Sequence, residues 1–338
     1  MKQKNVLNCI FSSWYPKFKN ITIRSRIIPL PKEFIEYLKA DNVVLPREHM
    51  TSEGIETSSD SDNDTEEWQA LEEDPDLETA IAPEFNEIDS RIKEATIEFD
   101  GAVFPKLNWS SPLDAVWISL DGTLKCSCPS DVYLLLKSSD RIASDLCESF
   151  NHCEDGDGEM SEGFELVLRK WVEISPGMEF RCFVKNHRLV AISQRDTSSF
   201  YKFIEENEID ICKDIYCFYN SKIAYKFPDS SFVFDIYRDA ANKVLLIDFG
   251  PFGSATDSLL FSWSEIESLS VDDCTEEEFS GQFRFICDEA GIQVNPYHRN
   301  RMPSDIVDLA CGNDINKLVD FLQVGNLIER PGSNSSDE

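Results

Sequence analysis

Two acids embedded in apolar runs are the residues of this sequence best placed to do chemistry. Asp235 lies within Phe232-Val-Phe-Asp-Ile-Tyr-Arg238, and Asp248 within Val244-Leu-Leu-Ile-Asp-Phe-Gly-Pro-Phe-Gly253. A buried carboxylate is costly unless a cation or strong donors stand beside it. The segment between the runs, Asp239-Ala-Ala-Asn-Lys243, has hairpin-turn composition, which puts the two acids on adjoining strands. Acids so placed suit a hard divalent ion such as Mg2+, which takes one or two carboxylates and shares its other positions with phosphate oxygens. They equally suit plain ion pairs to a structural arginine such as Arg238 or Arg181. The residues alone leave both readings open.

The complementary half is cationic. Lys106 ends the apolar run Val103-Phe-Pro-Lys106 and precedes Leu-Asn-Trp-Ser-Ser-Pro-Leu-Asp114. Arg169, Lys170 and Trp171 end Phe164-Glu-Leu-Val-Leu-Arg-Lys-Trp171, while Arg181 lies in Glu179-Phe-Arg-Cys-Phe183 and Arg195 in Ser193-Gln-Arg-Asp196. Basic side chains at strand ends, in a chain otherwise rich in acids, suggest a phosphate-binding lining. Charge neutralisation by Lys, Arg and Mg2+ is what polyphosphate binding demands. Ion pairs with the abundant acids are the plainer alternative, and exposed pairs are weak.

Asp248-Phe-Gly250 is a D-F-G triplet, Arg195-Asp196 is an R-D pair, and Lys106 lies upstream, as in a protein kinase. However, no Gly-rich loop precedes Lys106, and Tyr201 occupies the place, five residues after Asp196, where a catalytic loop needs Asn. The triplet also falls too far beyond the pair. A kinase is not indicated.

Several elements must position these residues. A helix is expected over 83–99, with Phe85, Ile88, Ile92 and Ala95 on one face, and another from Ser130 with Ser130 or Asp131 as its N-cap. Strands are expected at 103–106, 164–172, 179–184, 189–193, 232–237 and 244–249, the second and third separated by a turn at Ser175-Pro-Gly177. Helices are expected over 203–219 and 304–324. Hairpin-linked strands interspersed with helices make the fold α+β rather than a βαβ series.

The 338 residues carry a net charge of −31, with a pI near 4.4. That balance argues against direct nucleic-acid or anionic-membrane binding, which needs clustered Lys and Arg. Neither a signal peptide nor a transmembrane run of about 20 apolar residues is expected, so the chain reads as cytoplasmic. The 11 cysteines are scattered, which suits reduced thiols, and neither Cys126-Ser-Cys128 nor Cys147…Cys153 has zinc-site spacing. From Glu48 to Ser90 there is no Lys or Arg, and Thr57-Ser-Ser-Asp-Ser-Asp-Asn-Asp-Thr-Glu-Glu67 is low in complexity. Such a segment cannot bury enough apolar surface to offset its ordering entropy. The expected organisation is therefore a folded N-terminal part at 1–47, a disordered acidic insertion at 48–82, the main folded domain at 83–330 and a disordered tail at 331–338.

Longer motifs carry a family resemblance. Cys9-Ile-Phe-Ser-Ser-Trp-Tyr-Pro16, Phe104-Pro-Lys-Leu-Asn-Trp-Ser-Ser-Pro112, Leu168-Arg-Lys-Trp171, Glu179-Phe-Arg-Cys-Phe-Val184, Ile192-Ser-Gln-Arg-Asp196, Phe232-Val-Phe-Asp-Ile-Tyr-Arg238 and Ile247-Asp-Phe-Gly-Pro-Phe252 resemble, in the same order, the cell-division-cycle protein 123 family. The resemblance implies an ATP-grasp-like fold, two lobes gripping Mg·ATP. It also implies a role in assembling eukaryotic translation initiation factor 2, by binding its gamma subunit and helping that subunit join the alpha subunit. Carried over by motif, Lys106 contacts phosphate, and Asn108, Trp109 and Ser111 lie near the nucleotide. Arg169, Lys170 and Trp171 line the adenine, Arg181 and Arg195 face phosphates, and Asp235 and Asp248 hold Mg2+. No catalytic residue is implied, and the chain is expected to be monomeric on its own. One departure stands out: the family pattern usually has Asn two residues after the second acid, where this chain has Gly250.

Three functions compete on these grounds. The favoured one is an assembly factor using ATP as a ligand or switch; the others are an ATP-grasp ligase joining a carboxylate to an amine, and a scaffold without nucleotide. Phe11–Phe18 and the C-terminal helix are the expected partner surface, with packing on the core as the plainer alternative.

Overall fold

The computed structural model describes residues 1–40, 84–119, 121–155, 160, 163–269 and 279–293. The acidic segment 48–82, the acidic stretch 272–278, the helix expected at 304–324 and the tail 331–338 lie outside them. The chain opens with α1 (Gln3–Asn8), α2 (Phe11–Phe18), β1 (Ser25–Pro29) and α3 (Lys32–Lys39). Next come α4 (Asn86–Glu98), β2 (Val103–Lys106), a 3-10 turn at Leu113–Ile118, α5 (Pro129–Lys137), α6 (Asp140–Cys147) and β3 (Glu165–Lys170). The remainder contains β4 (Glu179–Lys185), β5 (Arg188–Gln194), α7 (Lys202–Glu206), α8 (Glu208–Phe218), β6 (Phe232–Arg238), β7 (Val244–Pro251), α9 (Trp263–Ser268) and β8 (Gln282–Arg284).

The strands form two sheets. A 3-stranded antiparallel sheet has the order β1-β3-β2, and a 5-stranded sheet has the order β7-β6-β4-β5-β8, with only β8 running parallel to its neighbour. This is the mixed α+β class expected of the sequence. The strands on either side of Ser175-Pro-Gly177 are not one hairpin: β3 belongs to the first sheet and β4 to the second. The segment between them is therefore a crossing between sheets, closed by a 3-10 turn at Pro176–Met178.

Side-chain alternation along the strands sets what each face does. In β4 and β6, Phe180, Cys182, Phe232, Phe234 and Ile236 point into one core with Ile211 and Ile215 of α8. On the opposite face, Phe183 and Val233 pack with Phe261 and with Ile266 of α9, covering one end of the sheet. Glu179, Arg181 and Asp235 share this second face by the same period of two, at its other end. The 3-stranded sheet buries Ile28, Val103, Leu166 and Leu168 against α4 and α5.

Local chemistry explains where helices begin and break. The helix expected from Ser130 begins at Pro129, with Cys128 as N-cap and Asp131 closing a capping box from the third position. The helix expected over 203–219 is two, separated at Asn207, whose Nδ2 donates to the Phe203 carbonyl at 2.7 Å; a π turn follows at Tyr219–Ile223. In α2, Phe11, Trp14 and Phe18 are buried, at spacings that share one helix face. Each buried aromatic stabilises the fold by about 2–3 kcal/mol. The aromatic side of Phe11–Phe18 is therefore core, the plainer of the two expectations for this segment, while Ser13, Pro16 and Lys17 face outward.

Candidate functional site

A cleft of 380 Å³ runs between the two sheets. The 3-stranded sheet contributes Phe104, Lys106, Arg169 and Lys170; the 5-stranded sheet contributes Glu179, Asp235, Ile247 and Asp248, and Arg195 follows directly on β5. Trp171, Val172, Glu173 and Ile174 of the crossing segment line it, and so do Ser111, Leu113 and Thr123. This is within the usual size range of small-ligand sites.

Asp235 and Asp248 are register partners across the β6–β7 hairpin. Immediately beyond this pair the register slips, since Ile236 pairs with Leu246. Ile247 is the additional residue of a β-bulge, which breaks the alternation and lets both Ile247 and Asp248 line the cleft. The bulge also presents the Ile247 carbonyl, which accepts from Arg169 Nη1 at 2.9 Å.

Each acid has a cationic partner. Asp248 is ion-paired with the buried ammonium of Lys106, which crosses from the other sheet. Asp235 accepts two bonds from Arg181, each 2.8 Å, and one from Arg195 Nε at 3.0 Å. Burial alone would raise the Asp235 carboxyl, but the Arg181 and Arg195 guanidiniums outweigh it and hold the group well below the ordinary carboxylate range. Burial likewise pushes Glu179 upward; the nearby Arg195 opposes this while Asp235 and Asp196 reinforce it. Glu179 stands 3.9 Å from Arg195 Nε.

Arg169 is the least neutralised of these cations. Its Nη1 and Nη2 donate to neutral oxygens, the Ile247 carbonyl and Thr22 Oγ1, and its buried Nε has no acceptor. Burial lowers its pKa, with Asp248 countering in part. A buried guanidinium with an orphaned donor, lining a cleft, fits an anion. The face of Phe11 lies 5.3 Å from Lys106 Nζ and 5.6 Å from Arg169 Cζ, so one aromatic ring backs both cations.

The cleft thus gathers Lys106, Ser111, Arg169, Lys170, Trp171, Arg195, Asp235 and Asp248 from the sequence-derived set. Lys170 nevertheless directs its ammonium to Asp100 at 2.5 Å. The remaining three residues do not line the cleft. Arg181 stands behind Asp235 with its Nη1 anchored on the Asp257 carbonyl. Asn108 is fully buried and clamps the chain: its Nδ2 donates to the Gly163 carbonyl and its Oδ1 accepts from Glu165 N. Trp109 donates through Nε1 to the Val6 carbonyl. Asp196, of the R-D pair, accepts from Ser198 and Tyr201 and closes a local turn.

Sequence reasoning did not single out Glu179, Thr123 or Glu173. Glu179 was accessible to it, because Glu179 and Arg181 must share a strand face. Thr123 and Glu173 lie in irregular segments, where no period says which way a side chain points. Gly250 has a Cβ position only 3.1 Å from Thr256 Oγ1, so Thr256 fills the space into which a side chain at 250 would project. Asp235 and Asp248 offer two carboxylates and fit a divalent ion that shares its ligands with phosphate. Among the described residues no group of three or more His, Cys, Asp or Glu could hold a metal.

The protein is of the mixed α+β class, with a cleft between its two sheets lined by both basic and acidic side chains. A family model described as D123 matches residues 14–310, and the chain belongs to this family. It is 44% identical over 326 residues to the "Translation initiation factor eIF2 assembly protein" of Xenopus tropicalis, covering 96% of this chain and 97% of that one. It is 39% identical over 330 residues to the "Cell division cycle protein 123" of Yarrowia lipolytica, covering 96% and 83%. Among solved structures it is similar to Cdc123 from Schizosaccharomyces pombe, with a TM-score of 0.68 and 36% identity, covering 85% of this chain and 99% of that one. Among the described residues, no helix is long and apolar enough to cross a membrane.

Proposed function

We propose that this chain is a Mg·ATP-binding assembly factor for eukaryotic translation initiation factor 2. Family membership supports the assembly role, since similar family members bear the name of eIF2 assembly protein. The carrying observation for the nucleotide is the register pairing of Asp235 and Asp248 opposite Lys106, Arg169 and Arg195. In this reading the two lobes grip the nucleotide as in the ATP-grasp fold. Asp235 and Asp248 hold Mg2+, and Lys106 and Arg195 bind phosphates. Arg169 joins them rather than lining the adenine as its motif implied, because its buried guanidinium has an orphaned donor, and Trp171 borders the adenine. Arg181 acts from behind by orienting Asp235. The partner is the gamma subunit, which the factor helps to join the alpha subunit in the cytoplasm, in support of translation initiation and cell-cycle progression.

The net charge of −31 fits a basic face on that partner, with recognition weakened by salt. The test is an assembly assay in which purified gamma and alpha subunits are mixed with or without this protein and Mg·ATP, and the joined species is followed by gel filtration. Faster or more complete joining with protein and nucleotide together is expected. Joining at an unchanged rate and extent contradicts the proposal.

A further inference from the structure

The side chains that would receive a metal and those that would receive phosphate are bonded to each other. Lys106 is paired with Asp248, and Arg195 donates to Asp235 at 3.0 Å. The Lys106 and Asp235 side chains are 2% and 7% exposed, so neither can be left without a counter-charge except at high cost. Arg181 is fixed on Asp235 by two bonds and on the Asp257 carbonyl by a third. Arg195 lines the cleft and bonds Asp235 through Nε, so it is the partner able to turn toward a ligand.

Consider each ligand alone. A divalent ion that takes Asp235 and Asp248 displaces Lys106 and Arg195 and leaves two cations facing added positive charge. A polyphosphate that takes Lys106 and Arg195 strips both carboxylates and faces them with added negative charge. When the two ligands arrive together, every displaced group meets its opposite: the carboxylates turn to the metal and the cations to phosphate oxygens.

We infer that Lys106–Asp248 and Arg195–Asp235 form an ion-exchange lock, through which a nucleoside polyphosphate and a divalent cation bind only as a pair. The inference rests on the Mg·ATP reading of the cleft and adds how that site is regulated: neither ligand alone opens it. Coupling between two ligands is typically worth about 5- to 150-fold in affinity, and binding here falls in that range or above it.

Asp248→Asn removes one charge of the lock and keeps the side-chain shape. Wild type and variant are titrated calorimetrically with ATP in EDTA and with ATP plus Mg2+. In wild type, ATP binds at least about 5-fold more weakly in EDTA. In Asp248→Asn, metal-free ATP binds more tightly than in wild type, because Lys106 is released, while the gain from Mg2+ shrinks. Metal-free ATP that binds the variant no better than wild type overturns the lock and leaves the Mg·ATP reading standing. Wild type that binds ATP under neither condition overturns both. Should the variant fail to fold, the wild type decides by itself, through Mn2+ titration read by water-proton relaxation. Mn2+ should bind only with ATP present, and equal binding without ATP overturns the lock.

Discussion

Asp235 and Asp248 oppose each other in register across one hairpin, yet they are held by cations of different sheets. Asp248 is held by Lys106 of the 3-stranded sheet, and Asp235 by Arg181 of the 5-stranded sheet and by Arg195 at the end of β5. The Lys106–Asp248 pair is thus a tie between the two halves of the cleft. It is reinforced beside the bulge by Arg169 on the Ile247 carbonyl and Thr22 on the Leu246 carbonyl.

Removing Asp235 leaves Arg181 and Arg195 without their shared counter-ion. Asp235→Ala should destabilise the protein by about 3–5 kcal/mol in urea unfolding at neutral pH. Because the folded carboxyl lies below its ordinary range, the unfolded chain binds the proton more readily. The Asp235 contribution is present above the ordinary carboxylate pKa and is lost as pH falls below it. The stability difference between wild type and variant should therefore narrow in acid.

Glu179 has the opposite sign. Its folded carboxyl is raised by burial, so the folded state holds the proton more tightly and stability falls as pH rises above the ordinary glutamate value. Glu179→Gln should melt at a higher temperature than wild type at neutral pH, by roughly 2–4 °C per kcal/mol gained. The two melting temperatures should converge as pH drops through the glutamate range.

Asn108 separates a structural role from a nucleotide-binding one. Its side chain closes two bonds to the backbone at Gly163 and Glu165. Asn108→Ala should cost about 1–3 kcal/mol of stability, the penalty for leaving buried backbone groups unpaired. At a temperature where the variant is folded, ATP affinity should be within a factor of about 2 of wild type, as for sites that do not couple. Calorimetry checks this, and a loss as large as that of Lys106→Met contradicts the structural role.

Gly250 and Thr256 form a steric pair. A Cβ at 250 would stand 3.1 Å from Thr256 Oγ1, which is itself tied to the Pro251 carbonyl at 2.6 Å. Gly250→Asn should destabilise by about 1–3 kcal/mol through overpacking. Adding Thr256→Ala should recover most of that loss in a double-mutant cycle, and additive effects would show that the two positions do not compete for space.

Much of this was legible in the sequence, and the reasons are local. The hairpin bearing Asp235 and Asp248 declares itself by two apolar runs around a turn-forming segment, and Lys106 by ending a short apolar strand. Tertiary context decided the rest. The crossing of the chain between sheets after Lys170 looks, in sequence, like an ordinary strand–turn–strand. Asn108 and Trp109 lie between Lys106 and Ser111, which both line the cleft, but the turn aims Asn108 at Gly163 and Trp109 at Val6. The bulge at Ile247 has no signature in composition, because it depends on pairing with β6. Two ways of reading the acids were open from the residues, a metal site or ion pairs to arginine. The structure displays the ion pairs, with Arg181 among the partners, while the proposed function has the same acids serve both roles.

The most direct test of the account is calorimetric titration of Mg·ATP into wild type and Asp248→Ala. Tighter binding by wild type than by the variant is the predicted result, because Asp248 joins the sheets and, in the proposed site, holds the metal. Equal binding by the two proteins, with the variant folded, would contradict the placement of Mg·ATP between Asp235, Asp248 and Lys106.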